Sequence, residues 1–281
     1  LNSDFHASAL LYVGVPYLLA LLILAFRRDA PTTHWRQGYL RHVSTSLVVF
    51  LGSSVVLFEG FLCVLFFMPI YFFFVTLAFL GDAYHRRRER SRFESNLLTG
   101  LVCLLALEGT VPSLSFERAS TVHVESISNL SVAEVRANLT RPVALPRATK
   151  GMLRVFPMPV VLDMPSLEVD AVHTAQTRYH RWFFGNTHEG RVRMRVIASG
   201  PTHVHLAVIE DSSYFASYLK AQALQLKFEP LKGGGTRVQL TIEYQRKLDP
   251  AWYFAPLIHQ GVAEAGTFFL QEIALHEPEL L

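Results

Sequence analysis

The chain has 281 residues, of which 51% are hydrophobic and 17% charged. Its formal net charge of +3 comes largely from arginines beside apolar stretches near the N-terminus, so no basic domain remains to bind nucleic acid. Both cysteines, Cys63 and Cys103, lie within apolar stretches. A thiol there behaves as a small hydrophobe, so we expect no structural disulfide.

Four apolar stretches in residues 1–114 predict a transmembrane region. A span needs about twenty apolar residues, so the block 43–80 is too long for one helix and suits a hairpin of two short ones. The turn is expected at Glu59-Gly60, because glycine tolerates a tight corner and a carboxylate is costly at mid-membrane. The predicted spans are about 9–26, 43–59, 61–81 and 95–111.

Two arginine clusters follow the first and third predicted spans. Basic residues accumulate in cytoplasmic loops, so four spans predict a bacterial inner-membrane protein with a periplasmic C-terminal half. In the alternative, stretch 43–59 or 97–108 is re-entrant or interfacial, and the C-terminal half changes sides. The first stretch is followed by arginines rather than preceded by them, which favours a retained helix over a cleaved signal peptide. Because the sequence begins at leucine, further N-terminal residues would alter the number of spans. The membrane-flanking basic residues are Arg27, Arg28, Arg86, Arg87, Arg88, Arg90 and Arg92.

Residues 115–281 are predicted to form one globular domain that starts with a strand and a short helix. The alternation over 121–127 is typical of a strand with one buried face. Ser131 followed by Glu134 predicts a capped helix that ends near Leu139. The proline-rich passage 141–165 forbids a long helix or a central strand, so we expect an irregular connection with short strand pieces.

The remainder of the domain predicts an antiparallel meander followed by a long helix. Alternating apolar positions recur over four stretches, which gives the sheet one apolar face. Asp249-Pro250 predicts a helix N-cap with proline at the first helical position, and the helix should end near Ala274. The apolar face of this helix has a waist of small residues at Gly261, Ala265 and Gly266. The waist either leaves room for a ligand or permits close packing on the sheet.

This order of elements resembles the START-like, or SRPBCC, superfamily of helix-grip proteins over residues 120–275. The segments 234–244 and 248–254 resemble the last strand and the start of the grip helix in polyketide-cyclase-like members. The N-terminal half, with Glu59-Gly60 and Pro69, is similar to bacterial proteins that join such a domain to apolar helices. The resemblance implies all-α transmembrane helices followed by an α+β domain whose antiparallel sheet wraps around a long C-terminal helix. Here the proline-rich passage replaces a second short helix.

The sequence contains no nucleophile elbow, phosphate-binding glycine loop or helical metal-binding motif, so we predict no catalytic residue, cofactor or metal. His203 and His205 point to one face of a strand, but two ligands do not make a zinc site. His173, His180 and His188 are expected to be ordinary polar groups.

Two other polar groups receive structural interpretations. Asp211, with the two serines that follow it, is expected to cap a turn rather than to act in hydrolysis. The alternating arginines from Arg191 to Arg195 are expected on the solvated face of a strand, with contact to lipid phosphates as the alternative.

The resemblance favours a membrane-anchored protein that binds or transfers a lipid or another hydrophobic small molecule, such as a polyprenoid or quinone, without catalysis. Membrane lipids would then be partners. Two alternatives stay open: an accessory or assembly subunit of a larger membrane complex, and an enzyme of the cyclase or aromatase kind. The residues expected to contact the ligand are Tyr179, Trp182, Phe184, Tyr214, Tyr218, Trp252, Phe254, Ile258, Gly261 and Ala265.

Overall fold

The computed structural model describes residues 7–26, 35–56, 61–88, 92–145, 151–154, 159–182 and 185–275. The chain divides into two compact units, each with its own hydrophobic core. The helical unit comprises Leu1–Glu117 with Leu248–Phe254, and the sheet unit comprises Arg118–Lys247 with Ala255–Leu281. The segment 248–254, which follows the meander in sequence, therefore groups with the N-terminal helices.

The helical unit contains four helices: α1 (Val15–Phe26), which continues from a π-helical turn at Leu10–Gly14, α2 (Trp35–Val56), α3 (Phe61–Arg88) and α4 (Arg92–Ala106). Among the described residues, one stretch, Val64–Tyr84, is long and apolar enough to cross a membrane. Leu10–Phe26 and Leu97–Ala106 are apolar but shorter. One of the four predicted spans thus meets the criterion of length and composition, and the others stay predictions.

The predicted turn and the arginine clusters lie largely beyond the part of the chain that the structure describes. Glu59-Gly60 is outside it, as are Arg27, Arg28 and Arg90. The backbone of the remaining basic positions is helical: Arg86, Arg87 and Arg88 end α3, and Arg92 begins α4.

Two helices of this unit, α1 and α4, carry apolar residues on an exposed face as well as on the buried one. Val13 in the π-helical turn and Tyr17 and Ala20 on α1 are buried in a core shared with α3. The opposite face of α1 is also apolar, yet Leu18 and Leu22 remain more than half exposed. The same pattern recurs on α4, where Leu97, Leu101 and Leu104 are exposed along one stripe.

The last helix, α6 (Ala251–Phe269), begins within the helical unit. The backbone carbonyl of Pro250 accepts hydrogen bonds from the N–H groups of Tyr253 and Phe254, so the proline precedes the helix instead of occupying its first position. The carboxylate that accepts the Ala251 N–H, at 2.8 Å, belongs to Glu108. The predicted start of the helix is therefore correct to one residue, and its acceptor comes from a distant part of the sequence.

The sheet unit is built on one eight-stranded antiparallel sheet in the order β1-β8-β7-β6-β5-β4-β3-β2. A short helix, α5 (Val132–Asn138), follows β1, and the predicted Ser131 and Glu134 capping box is present. The proline-rich passage contains two short strands and a 3₁₀ turn (Met152–Arg154), which agrees with the predicted irregular connection. The strands are β1 (Ala119–Ser128), β2 (Val143–Ala144), β3 (Pro159–Asp163), β4 (Val172–Trp182), β5 (Gly185–Gly200), β6 (His203–Asp211), β7 (Leu219–Pro230) and β8 (Thr236–Arg246).

The C-terminal helix lies on the inward face of this sheet. Register shifts interrupt the β3–β4, β5–β6 and β7–β8 pairings, and such bulges bend and twist the strands. The helix α6 continues as a π-helical turn to Ala274, where the sequence predicts its end. In that turn Leu270 and Ile273 are buried in the core of the sheet unit. An antiparallel sheet curled against a long C-terminal helix is the helix-grip arrangement.

At Gly266, α6 packs closely against the sheet. A Cβ placed there would lie 2.9 Å from Val124 Cγ2 and 3.1 Å from Ile242 Cδ1. We expect Gly266→Val to lower the free energy of unfolding by about 1–3 kcal/mol, because a larger side chain overpacks this contact. Gly261→Ala should instead raise it by up to about 1 kcal/mol, because alanine favours helix and has room there. Thermal unfolding of the purified full chain, followed by circular dichroism, would measure both, and equal melting temperatures would contradict this packing.

Candidate functional site

Along β7 and β8, the inward face of the sheet is well covered at one pair of residues and less so at the next. Leu226 and Leu240, paired on β7 and β8, are 3% and 1% exposed. The next inward pair, Leu224 and Ile242, is only partly buried, although it lies in the middle of the sheet. Val208 on β6 is partly buried as well. This part of the apolar surface is therefore incompletely covered.

The helix that faces this surface shows the same gradient. Gly266 is buried, whereas Ile258, Gly261 and Ala265 are only partly buried. A Cβ at Gly261 would have one neighbour at 4.0 Å, the terminal methyl of Met152, and no sheet atom within that distance. The two interpretations of the small-residue waist therefore apply to different glycines. Gly266 allows close packing, and Gly261 lies where the helix leaves the sheet uncovered.

Three tyrosines come together near the start of β7. Tyr179 lies on β4, Tyr214 begins a 3₁₀ turn (Tyr214–Ser217), and Tyr218 precedes β7. The rings of Tyr179 and Tyr214 have centroids 4.3 Å apart, and the Tyr218 hydroxyl donates to the Tyr214 hydroxyl at 2.9 Å. The sequence predicts all three as ligand contacts, and the structure brings them into one group, the tyrosine cluster.

The other aromatic candidates have different surroundings. Phe254 is buried, and its ring packs edge-on against Tyr12 and Phe67 of the helical unit. Trp252 is half exposed and contacts Phe73 of the same unit. The side chain of Trp182, and Phe184 as a whole, lie outside the residues that the structure describes.

Buried ionisable groups also occupy the inward face. Tyr244 is buried on β8, and burial raises the pKa of its phenol, against smaller opposing effects from a Ser120 hydrogen bond and the charge of Arg246. Arg246 itself is 2% exposed at the end of the same strand. The alternation along β8 places Tyr244 inward, but an arginine two residues further on gives no local signal that it will be buried.

The groups predicted to be structural behave as expected where the structure describes them. Asp211 accepts a hydrogen bond from the Ser213 N–H at 2.9 Å, which closes the turn after β6. Arg191 and Arg193 pair with Glu210 at 2.8 and 3.2 Å on the exposed side of the sheet. These guanidinium groups lower the pKa of the Glu210 carboxyl.

Metal ligands are not clustered in the described residues: no group of three histidine, cysteine or carboxylate side chains could hold an ion there. A separate groove of about 340 Å³ lies beside the last turn of the C-terminal helix. Its lining is mixed in polarity, so it does not extend the apolar interior. It is formed by Ser126, Ile127, Ser128, Asn129, Gln271 and Leu275.

Comparison with solved structures yields helix-grip proteins at low sequence identity. A protein from Chromobacterium violaceum is 11% identical, with 55% of this chain and 94% of that chain covered and a TM-score of 0.37. Norcoclaurine synthase from Thalictrum flavum, solved with dopamine and hydroxybenzaldehyde, is 14% identical over 54% and 83% of the two chains, with a TM-score of 0.34. A major latex-like protein from Panax ginseng is 12% identical over 53% and 97%, with a TM-score of 0.29. No family model and no curated protein matches the sequence.

The buried His173 makes the stability of the folded chain depend on pH. Burial lowers the pKa of its imidazole below the ordinary 6.5, and this outweighs the hydrogen bond to the Ser166 carbonyl and the charge of Asp163, which both raise it. The unfolded chain therefore binds a proton more readily than the folded one near that pH. The contribution of neutral His173 to stability is complete above pH 6.5 and declines as the pH falls below it.

We expect the urea midpoint of the full chain to fall between pH 7.5 and 5.5, and to fall less in His173→Gln, which keeps an N–H donor but does not titrate. His123→Gln, at an exposed position on β1, is the matched control and should retain the parental pH dependence. If His173→Gln retained the full loss of stability at low pH, another group would be responsible.

Proposed function

We propose that the protein is a membrane-anchored binding or transfer protein for a hydrophobic small molecule, held between the sheet and the first half of α6. The observation that carries this proposal is a set of apolar residues on the sheet and on the helix that are incompletely covered. Leu224 and Ile242 on the sheet, and Ile258 and Gly261 on the helix, are all apolar and all only partly buried.

An apolar molecule is the ligand that such surfaces favour. Each Å² of apolar surface removed from water contributes roughly 25 cal/mol, so a ligand that covers both surfaces gains free energy without specific polar contacts. The tyrosine cluster adds flat aromatic surface with hydroxyl groups at its margin, which suits a ligand that carries some polarity. Polyprenoids and quinones are examples of this chemical type.

Attachment to the membrane is supported by the outward faces of the helical unit. Leu18 and Leu22 on α1 are 54% and 53% exposed, and Leu97 and Leu104 on α4 are both 67% exposed. A helix that is apolar on all sides belongs in the core of a larger assembly or in lipid. Anchoring would raise the effective concentration at which the site meets a ligand dissolved in the bilayer.

Retention of a ligand by the purified full chain tests the binding proposal. We expect organic extraction and mass spectrometry, after purification in mild detergent, to recover a specific apolar species. Gly261→Phe should reduce its recovery by about tenfold or more, because the ring occupies the uncovered space at an overpacking cost of about 1–3 kcal/mol for any co-bound ligand.

Gly233→Phe is the matched control, since this glycine lies in the turn between β7 and β8 with open space around it. The control should retain the parental species at the parental amount. Equal recovery from Gly261→Phe and the parent would exclude this space as the binding site.

The side of the membrane is tested by fusions at the C-terminus. With four spans and cytoplasmic arginine loops, alkaline phosphatase fused after Leu281 should be active in a bacterial host, and green fluorescent protein at the same position should be dark. A bright fluorescent fusion with an inactive phosphatase fusion would instead support the topology in which one apolar stretch does not cross.

A further inference from the structure

The inward face of β4 is unusually polar for a strand that lines an apolar interior. Its inward positions are His173, Ala175, Thr177 and Tyr179, each less than 9% exposed. The alternate positions on the same strand point outward and are more exposed. A strand with this burial pattern would ordinarily carry aliphatic residues on the inward side.

Two hydroxyl groups at the middle of this face are buried without a partner. Thr177 Oγ1 and Ser213 Oγ are shielded from solvent, and neither oxygen has a hydrogen-bond partner in the described part of the chain. The two residues are 6% and 5% exposed. A buried hydroxyl without a partner destabilises the fold, and valine and alanine would fill the same volumes without that cost.

Gly190 brings the two hydroxyl-bearing residues to one place. It pairs directly with Thr177 across β4 and β5. The absence of a side chain on Gly190 lets the turn after β6 pack against β5, with the Ser212 carbonyl oxygen 2.3 Å and Ser213 Cα 2.9 Å from the position of a Cβ on Gly190. The tyrosine cluster adjoins both, because Tyr179 follows Thr177 on the same face and Tyr214 follows Ser213.

We infer that Thr177 and Ser213 bind the polar end of the ligand, which is therefore an amphipathic molecule with an apolar body and a terminal hydroxyl or carbonyl oxygen. A hydroxyl side chain both donates and accepts, so the pair can hold either group. Since the two oxygens are shielded from solvent, a ligand reaches them only when neighbouring groups move. This inference rests on the proposed function and identifies the class of ligand.

Two probes of matched shape test the inference on the full chain in mild detergent, by equilibrium dialysis against detergent alone. We expect 2-naphthol to bind more tightly than 2-methylnaphthalene, which lacks the oxygen. Thr177→Val and Ser213→Ala should each weaken naphthol binding by about 3- to 10-fold, the effect of one hydrogen bond, and leave methylnaphthalene binding unchanged. Thr174→Val, on the outward face of the same strand, is the control and should change neither.

Stability provides a second readout on the same variants. Because the hydroxyls have no partner among the residues that the structure describes, their removal should leave the melting temperature of the chain unchanged or raise it. A clear drop in melting temperature would show a structural hydrogen bond to protein and overturn the inference.

The outcomes separate the two proposals. If both probes bind and the variants do not distinguish them, the hydroxyls are not ligand contacts and the inference is wrong, while hydrophobic binding stands. If neither probe binds the parental chain, both the inference and the proposed site are contradicted.

Discussion

The approach of α6 to the sheet at Gly266 is the contact on which the rest of the sheet unit depends. It brings the helix backbone against Val124, Leu240 and Ile242, where any side chain on the helix would hold the two layers further apart. Beyond it, the π-helical turn buries Leu270 and Ile273 in the core. The helix is thus fixed to the sheet at its C-terminal half, and the apolar surface on its N-terminal half is left with fewer partners.

Much of this arrangement could be predicted from sequence, because the local spacing of apolar and capping residues determines it. The alternation of Val238, Leu240, Ile242 and Tyr244 identifies both the strand β8 and its buried face. Ser131 and Glu134 identify the start of α5 because the hydrogen bonds of a capping box span three residues. Such signals require no knowledge of the rest of the chain.

The features that could not be predicted all depend on distant partners. The small-residue waist of α6 contains both Gly261 and Gly266. Only the positions of the sheet residues show that Gly266 packs against the sheet and Gly261 does not. The proximity of Thr177 to Ser213 requires the register of β4 with β5, which places Gly190 opposite the threonine and against the turn that carries Ser213. No window of sequence around either hydroxyl contains that information.

Two tyrosines of the helical unit pair their hydroxyl groups with neighbouring helices. Tyr17 meets the Thr99 hydroxyl at 3.2 Å, and Tyr71 donates to the backbone carbonyl of Ser46 at 3.0 Å. In apolar surroundings such pairing removes the cost of an unpaired hydroxyl and links neighbouring helices. The Ser46 hydroxyl itself is buried without a partner among the described residues, so buried hydroxyls of this kind occur in both units.

The start of α6 has a consequence for dividing the chain. The Glu108 carboxylate accepts a hydrogen bond from the Ala251 N–H, and the Tyr253 hydroxyl donates to the Phe66 carbonyl at 2.7 Å. A fragment that begins after residue 117 keeps the segment 248–254 but loses every one of these acceptors, together with the aromatic neighbours of Phe254. A cut near residue 117 therefore divides the helical unit as well, because the segment 248–254 belongs to it, and the C-terminal helix is left with its first turn uncapped and an aromatic side chain exposed.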